Sequence, residues 1–114
     1  MFNFEKLDVW QKADLVYNRT RQFPDHERFG LTHQMRRGAV SISSNIAEGS
    51  SRMSETDFRR FVEIATGSAF EVISQAFIGR RQGFLGDDEF FELYASAEEV
   101  GRMLSGLRRS LSSK

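Results

Sequence analysis

Apolar residues recur three and four positions apart along almost the whole chain, the spacing of helices with one buried face. The first seven residues lack that period, but Phe2, Phe4 and Leu7 can pin them onto a helical core. Asp8 with Gln11 three positions on predicts a helix start by reciprocal capping. Val9, Ala13, Val16, Thr20 and Phe23 then share one face, with Trp10 and Tyr17 beside it. Pro24 ends this helix, predicted over 8–23, because it disfavours helical geometry at Phe23 and supplies no N–H. A second helix over 31–49 places Leu31, Met35, Ala39, Ile42, Ile46 and Gly49 on one stripe, bordered by Gly38 and Asn45. Its predicted stop is Gly49 before Ser50 and Ser51, glycine being the residue that accepts a left-handed cap.

Ser54-Glu55-Thr56-Asp57 reads as a capping box opening a third helix over 54–82. Its buried stripe is Phe58, Phe61, Val62, Ala65, Ala69, Val72, Ile73 and Ala76, with Ser68 among them. Gly83 to Gly86 predict a turn. The fourth helix, over 87–111, is nearly heptad: Phe90, Ala97, Leu104 and Leu111, interleaved with Leu93, Val100 and Leu107. The tail from Ser112 is expected to fray. Four helices on short connections predict an all-α, antiparallel up-down-up-down four-helix bundle, one domain over 1–114 without repeat or linker.

Two helices carry more apolar surface than one core face needs. Opposite its stripe, the second presents Arg36, Val40, Ser43 and Ala47; the third holds Phe70 and Phe77 away from its own core face. Self-association explains both, since small side chains admit another helix and a phenylalanine can fill the space beside it. An irregular bundle that wraps both faces is the competing explanation. Between the two faces of the second helix runs a polar stripe: Gln34, Arg37, Ser41, Ser44, Glu48 and Arg52. Members lie three or four apart, so each reaches the next. Either this is a hydrogen-bonded strip, with Glu48 paired to Arg37 or Arg52, or its arginines and hydroxyls face a phosphate.

Composition narrows the picture. The 114 residues are 39% hydrophobic and 28% charged, a balance suited to a folded soluble domain. No run approaches the roughly 20 apolar residues of a membrane span, and no signal-peptide pattern opens the chain. Cysteine is absent, removing disulfides and thiolate chemistry; a cytoplasmic location is the simplest expectation. Lys+Arg and Asp+Glu are both 16, so net charge exerts no overall pull on nucleic acid. Most cations are arginines, arriving in pairs at Arg36-Arg37, Arg59-Arg60, Arg80-Arg81 and Arg108-Arg109, while acids crowd between Asp87 and Glu99. Arginine suits bidentate pairing with carboxylate or phosphate alike.

Catalytic patterns are missing. His26 and His33 are the only histidines and have no acid at metal-ligand spacing. The serines of Ser41 to Asn45 lie on a helix without a nucleophile elbow, and GSSRMS lacks the lysine of a P-loop. Glu98 and Glu99 point to neighbouring faces, as solvated carboxylates do. The reading is no enzyme: no catalytic residue, no metal, no cofactor and no small-molecule substrate.

The stretches FEKLDVWQKA, GLTHQMRRGAVSISSNIAEGSSRMS and EIATGSAFEV resemble the bacterial 23S rRNA intervening-sequence proteins. The likeness runs in order from Phe4 to the final leucine repeat and centres on Ser41 to Gly49. Phe70 stands where the resemblance implies leucine or a similar residue. The resemblance implies a four-helix bundle with no established catalytic or metal residues. The family is in turn similar to the pentameric accessory protein of diversity-generating retroelements, so a homopentamer is the implied assembly. Two functions follow as expectations. One is an oligomeric, non-enzymatic module binding RNA or a ribonucleoprotein. The other is a homo-oligomeric scaffold or adaptor docking a protein partner, its paired arginines meeting the acids of Asp87 to Glu99 on a neighbour.

Overall fold

The computed structural model describes residues 2–21, 23 and 30–111. Four helices make up the fold: α1 (Asp8–Arg19), α2 (Leu31–Ser50), α3 (Glu55–Arg81) and α4 (Asp87–Ser110), preceded by a 3-10 turn at Asn3–Lys6. Each helix packs against the next in sequence, and α4 closes back onto α1. Directions follow from the contacts. Gly38 on α2 approaches Ser68 and Val72 on α3, whereas Gly49 near the end of α2 approaches Phe58 and Phe61 near the start of α3. Arg80 meets Asp87 and Arg108 meets Glu63 across α3 and α4; Lys12 meets Glu99 and Arg19 meets Glu92 across α1 and α4. All three pairs of helices are therefore antiparallel, which makes α1 antiparallel to α2 as well. The bundle measures 45 × 23 × 19 Å.

The core is the expected one. Val9, Ala13 and Val16 of α1, Met35, Ala39, Ile42 and Ile46 of α2, and Val62, Ala65, Ala69, Val72 and Ala76 of α3 meet Phe90, Leu93, Ala97, Val100 and Leu104 of α4. Other stripe residues are looser: Leu31, Phe58, Ile73, Leu107 and Leu111 are only partly buried against it, and Phe61, expected in the stripe of α3, is half-buried outside it. Ala39 on α2 and Ala65, Ala69 and Ala76 on α3 let those two backbones approach, and glycine carries the approach further. A Cβ on Gly38 would stand 2.8 Å from Val72 Cγ2.

Three boundary expectations change. The first helix stops at Arg19, not at residue 23. Thr20 Oγ1 donates to the Tyr17 carbonyl at 2.7 Å and the Arg21 N–H to that of Asn18, while the Thr20 carbonyl accepts from the Phe23 N–H and, at 2.8 Å, from Arg36 of α2, so the helix end is satisfied by local bonds and by α2 together. Phe23 is still buried although it lies beyond the helix; Pro24, His26 and the tail from Ser112 fall outside the described residues. Asp8 is the first helical residue rather than the cap. Leu7 takes the cap position without a side-chain bond, and Gln11 donates instead to the Glu5 carbonyl at 3.1 Å. Residues 2–6 are ordered locally, the Glu5 carboxylate accepting from the Phe2 N–H at 2.9 Å.

Gly49 is not a left-handed cap. It lies inside α2, fully buried, and the helix ends at Ser51 with right-handed backbone. Its role is steric: a Cβ there would lie 2.8 Å from Phe61 Cβ and 3.0 Å from the Phe58 ring. The left-handed position is Gly83, with φ +80°, in the turn before α4. Ser54 does cap α3, its hydroxyl accepting from the Asp57 N–H at 3.1 Å.

By length and composition α3 reaches the profile of a membrane span, with a mean hydropathy of 1.2 over its most apolar window. It nevertheless packs along both α2 and α4 and carries Thr66, Ser68, Glu71, Ser74 and Gln75. A core helix of a bundle has the same profile.

Candidate interfaces and the polar cleft

Helical phase decides which flank each candidate occupies. On α2, Arg36, Val40, Ser43 and Ala47 turn towards α1; on α3, Phe70 and Phe77 turn towards α4. The two sets therefore lie on opposite edges of the bundle. Not all of them are free. The Arg36 guanidinium is half-buried and donates to both the carbonyl and the hydroxyl of Thr20, at 2.8 and 3.3 Å, so it ties α2 to α1 rather than facing a partner. Ser43 and Ala47 are half-buried on a helix that also packs against the N-terminal 3-10 turn. Val40 is 50% exposed.

On the other edge, Phe77 has much of its ring inside the chain: it meets the Phe90 ring edge-on at 4.9 Å and that of Tyr94 at 6.0 Å. Phe70 is 67% exposed. It stands with Ile73 beside a groove completed by Gly101 and Ser105 of α4. Wrapping of both faces thus accounts for Arg36 and much of Phe77, while Val40 and Phe70 remain as outward apolar groups.

The polar stripe divides in the same way. Arg52 pairs with Glu48 at 2.8 Å and lays its guanidinium over the Phe61 ring, one of the two pairings expected for Glu48. Ser44 is exposed. Ser41 shares a 2.8 Å hydrogen bond with Ser68 of α3, and the Asn45 amide donates to the Ser41 carbonyl and hydroxyl. Among the described residues no imidazole or carboxylate bonds to either serine, so neither is activated as a nucleophile. Gln34, Arg37 and Ser41 line a cleft of about 300 Å³ whose other wall is Ser68, Glu71 and Gln75. Those three α3 residues were not legible as partners of the stripe, since nothing in a linear pattern sets the register of one helix against another. The one signal was Ser68, a hydroxyl within an otherwise apolar stripe.

The acids of α4 are largely paired within the chain: Arg80 takes Asp87, Arg19 takes Glu92, Arg102 takes Glu98 and Lys12 takes Glu99. The expectation that they await the arginines of a neighbour is reduced accordingly. Such exposed pairs contribute at most about 1 kcal/mol each. At the opposite end Arg59, Arg60 and Arg108 surround a shallow cleft with Asp57 and Glu63.

These features define an all-α bundle with outward apolar groups at Val40 and Phe70 and a polar cleft between α2 and α3. Residues 5–106 match the family model described as 23S rRNA-intervening sequence protein, and the chain belongs to that family. Its fold is similar to a crystal structure of a protein of unknown function from the S23 ribosomal protein family of Bacteroides thetaiotaomicron. The TM-score is 0.71 at 19% sequence identity, covering 86% of this chain and 98% of that one. No curated protein matches the chain.

Proposed function

We propose that this protein is a non-enzymatic, cytoplasmic homo-oligomer that binds RNA or a ribonucleoprotein. The observation that carries the assembly is the placement of Val40 and Phe70 on opposite edges. A contact between unlike patches is heterologous and generates a ring when its rotation closes. Five subunits is the number the family resemblance favours. Repetition around a ring multiplies weak arginine–phosphate contacts, so a neutral chain can still hold RNA. The family's description, which refers to 23S rRNA, points the same way. Arg37 is the arginine of the stripe with no ion pair among the described residues, and its side chain is exposed.

Retention of labelled structured RNA by the purified protein tests this reading. The expected result is binding at low ionic strength that weakens steeply with salt, as phosphate neutralisation requires. Protein that neither carries nucleic acid nor retains RNA at low salt would overturn it. The adaptor reading has its own support in the groove between α1 and α4, where exposed Leu15 and Phe91 sit among Asp88, Glu92 and Glu99. Arg19 lines the same groove and pairs Glu92, yet the carboxylates outnumber it, which suits a basic protein segment; the same failure of RNA retention would favour this reading.

A further inference from the structure

The groove between α1 and α4 joins apolar and acidic surface that the core does not use. Phe91 is 54% exposed and Leu15 37%, and Ala95, exposed in the same groove, presents only a methyl group. Phe91 is held in place: its ring meets Phe90 edge-on at 5.2 Å, and the Arg80 guanidinium lies over it at 5.0 Å while pairing with Asp87. On α4 the lining residues Asp88, Phe91, Glu92, Ala95 and Glu99 recur at helical spacing. They form one outward stripe about 16 Å long. Between Asp87 and Glu99 the helix has no lysine or arginine. Asp88 makes no ion pair among the described residues. Glu92 and Glu99 each make one, with Arg19 and Lys12, both at 3.9 Å and half-exposed. Pairs that long and that wet contribute little, so both carboxylates can take a second cation.

An occupant of this groove has to bring apolar side chains to Phe91 and Leu15 and cations to Asp88, Glu92 and Glu99. Both walls are helices, so an extended segment would find no strand edge for its backbone, whereas a helix satisfies its own N–H and C=O groups. An amphipathic helix laid along the stripe meets it through residues at i, i+3, i+4 and i+7. Lysines or arginines bordering that face then reach the carboxylates, and the small Ala95 leaves room for a close approach. Neither Val40 nor Phe70 lines this groove. In the assembly proposed above the apolar face of α3 is engaged with the next subunit, which leaves a different protein as the source of the helix.

Resting on the protein-docking reading of this groove, and requiring no RNA, we infer that the α1/α4 groove is a docking site for a basic amphipathic helix of another protein. Fluorescence anisotropy tests it with a labelled helical peptide of about four turns, carrying leucines on one face and lysines on its borders. Two control peptides replace the lysines by glutamates or the leucines by serines. The wild-type protein should bind the basic amphipathic peptide about tenfold more tightly than either control. Phe91→Lys should weaken that binding about tenfold, and Asp88→Lys, at an exposed position, about threefold to fivefold. Absence of binding, or equal binding of all three peptides, overturns the docking site and leaves RNA binding standing. Binding that survives both substitutions removes the site from this groove while keeping a protein-docking surface elsewhere. A fall in oligomer mass of the Phe91→Lys protein in light scattering would show that a second copy fills the groove, and the assignment to another protein would fall.

Discussion

Two glycines of this chain look alike in sequence and do opposite things in the fold. Gly49 and Gly67 both lie inside helices, and each carries the conformational cost of a glycine there. At Gly49 the missing Cβ leaves room for Phe61 and Phe58, whose nearest atoms would stand 2.8 and 3.0 Å from it. At Gly67 a Cβ would meet nothing within 4 Å. Gly49→Ala should therefore destabilise by about 1–3 kcal/mol, as overpacking of a tight contact does. Gly67→Ala should stabilise by roughly 0.5–1 kcal/mol through helix propensity alone. Urea denaturation of the two variants checks the sign as well as the size; a stabilised Gly49→Ala would refute the steric role assigned here. Sequence reasoning misassigned Gly49 because glycine followed by serines has the composition of a helix stop, while the reason for it comes from a helix entering later in the chain.

At the scale of elements, helix starts and stops set by local chemistry were legible and those set by another element were not. Ser54 caps α3 through its own third neighbour, a relation contained within four residues. The end of α1 is different. The carbonyl of its cap residue, Thr20, accepts from Arg36, sixteen positions on, as well as from the Phe23 N–H, so part of the helix end is held by α2. Arg36→Met should lower stability by about 1.5–3 kcal/mol, the range for hydrogen bonds from a charged donor. Arg37→Met, one residue away on the open edge, should change it by no more than about 0.5 kcal/mol. Thermal unfolding of both separates the internal tie from the outward cation; equal effects would contradict the division. The pattern of arginine pairs gave no means of telling these two apart, because only the neighbouring helix distinguishes consecutive positions 100° apart on α2.

At the scale of the whole molecule, the exposed apolar groups predict assembly. Light scattering should show the wild type as an oligomer, and Val40→Arg and Phe70→Arg should each reduce its mass, since a desolvated charge in either half of a heterologous contact breaks it. A monomeric wild type would end the assembly proposal. Retention of the oligomer by both variants would move the contact to other surfaces. Mixing the two variants adds a sharper readout. Each keeps one intact patch, so a mixture should recover a limited dimer through Phe70 of one chain and Val40 of the other, but no closed ring.

What the sequence determined by itself is the set of helices, their buried stripes and hence the bundle, because periodicity records which face of each helix avoids water. It also determined the capping of α3 and the turn at Gly83, both of which are local. The tertiary structure decided which residues meet across helices: Arg36 with Thr20, Ser41 with Ser68, Gly49 with two phenylalanines, Phe77 with Phe90 and Tyr94. These depend on the rotation and register of one helix against its neighbour. Both quantities follow from the packing of all four stripes at once, and no stretch of one helix contains them.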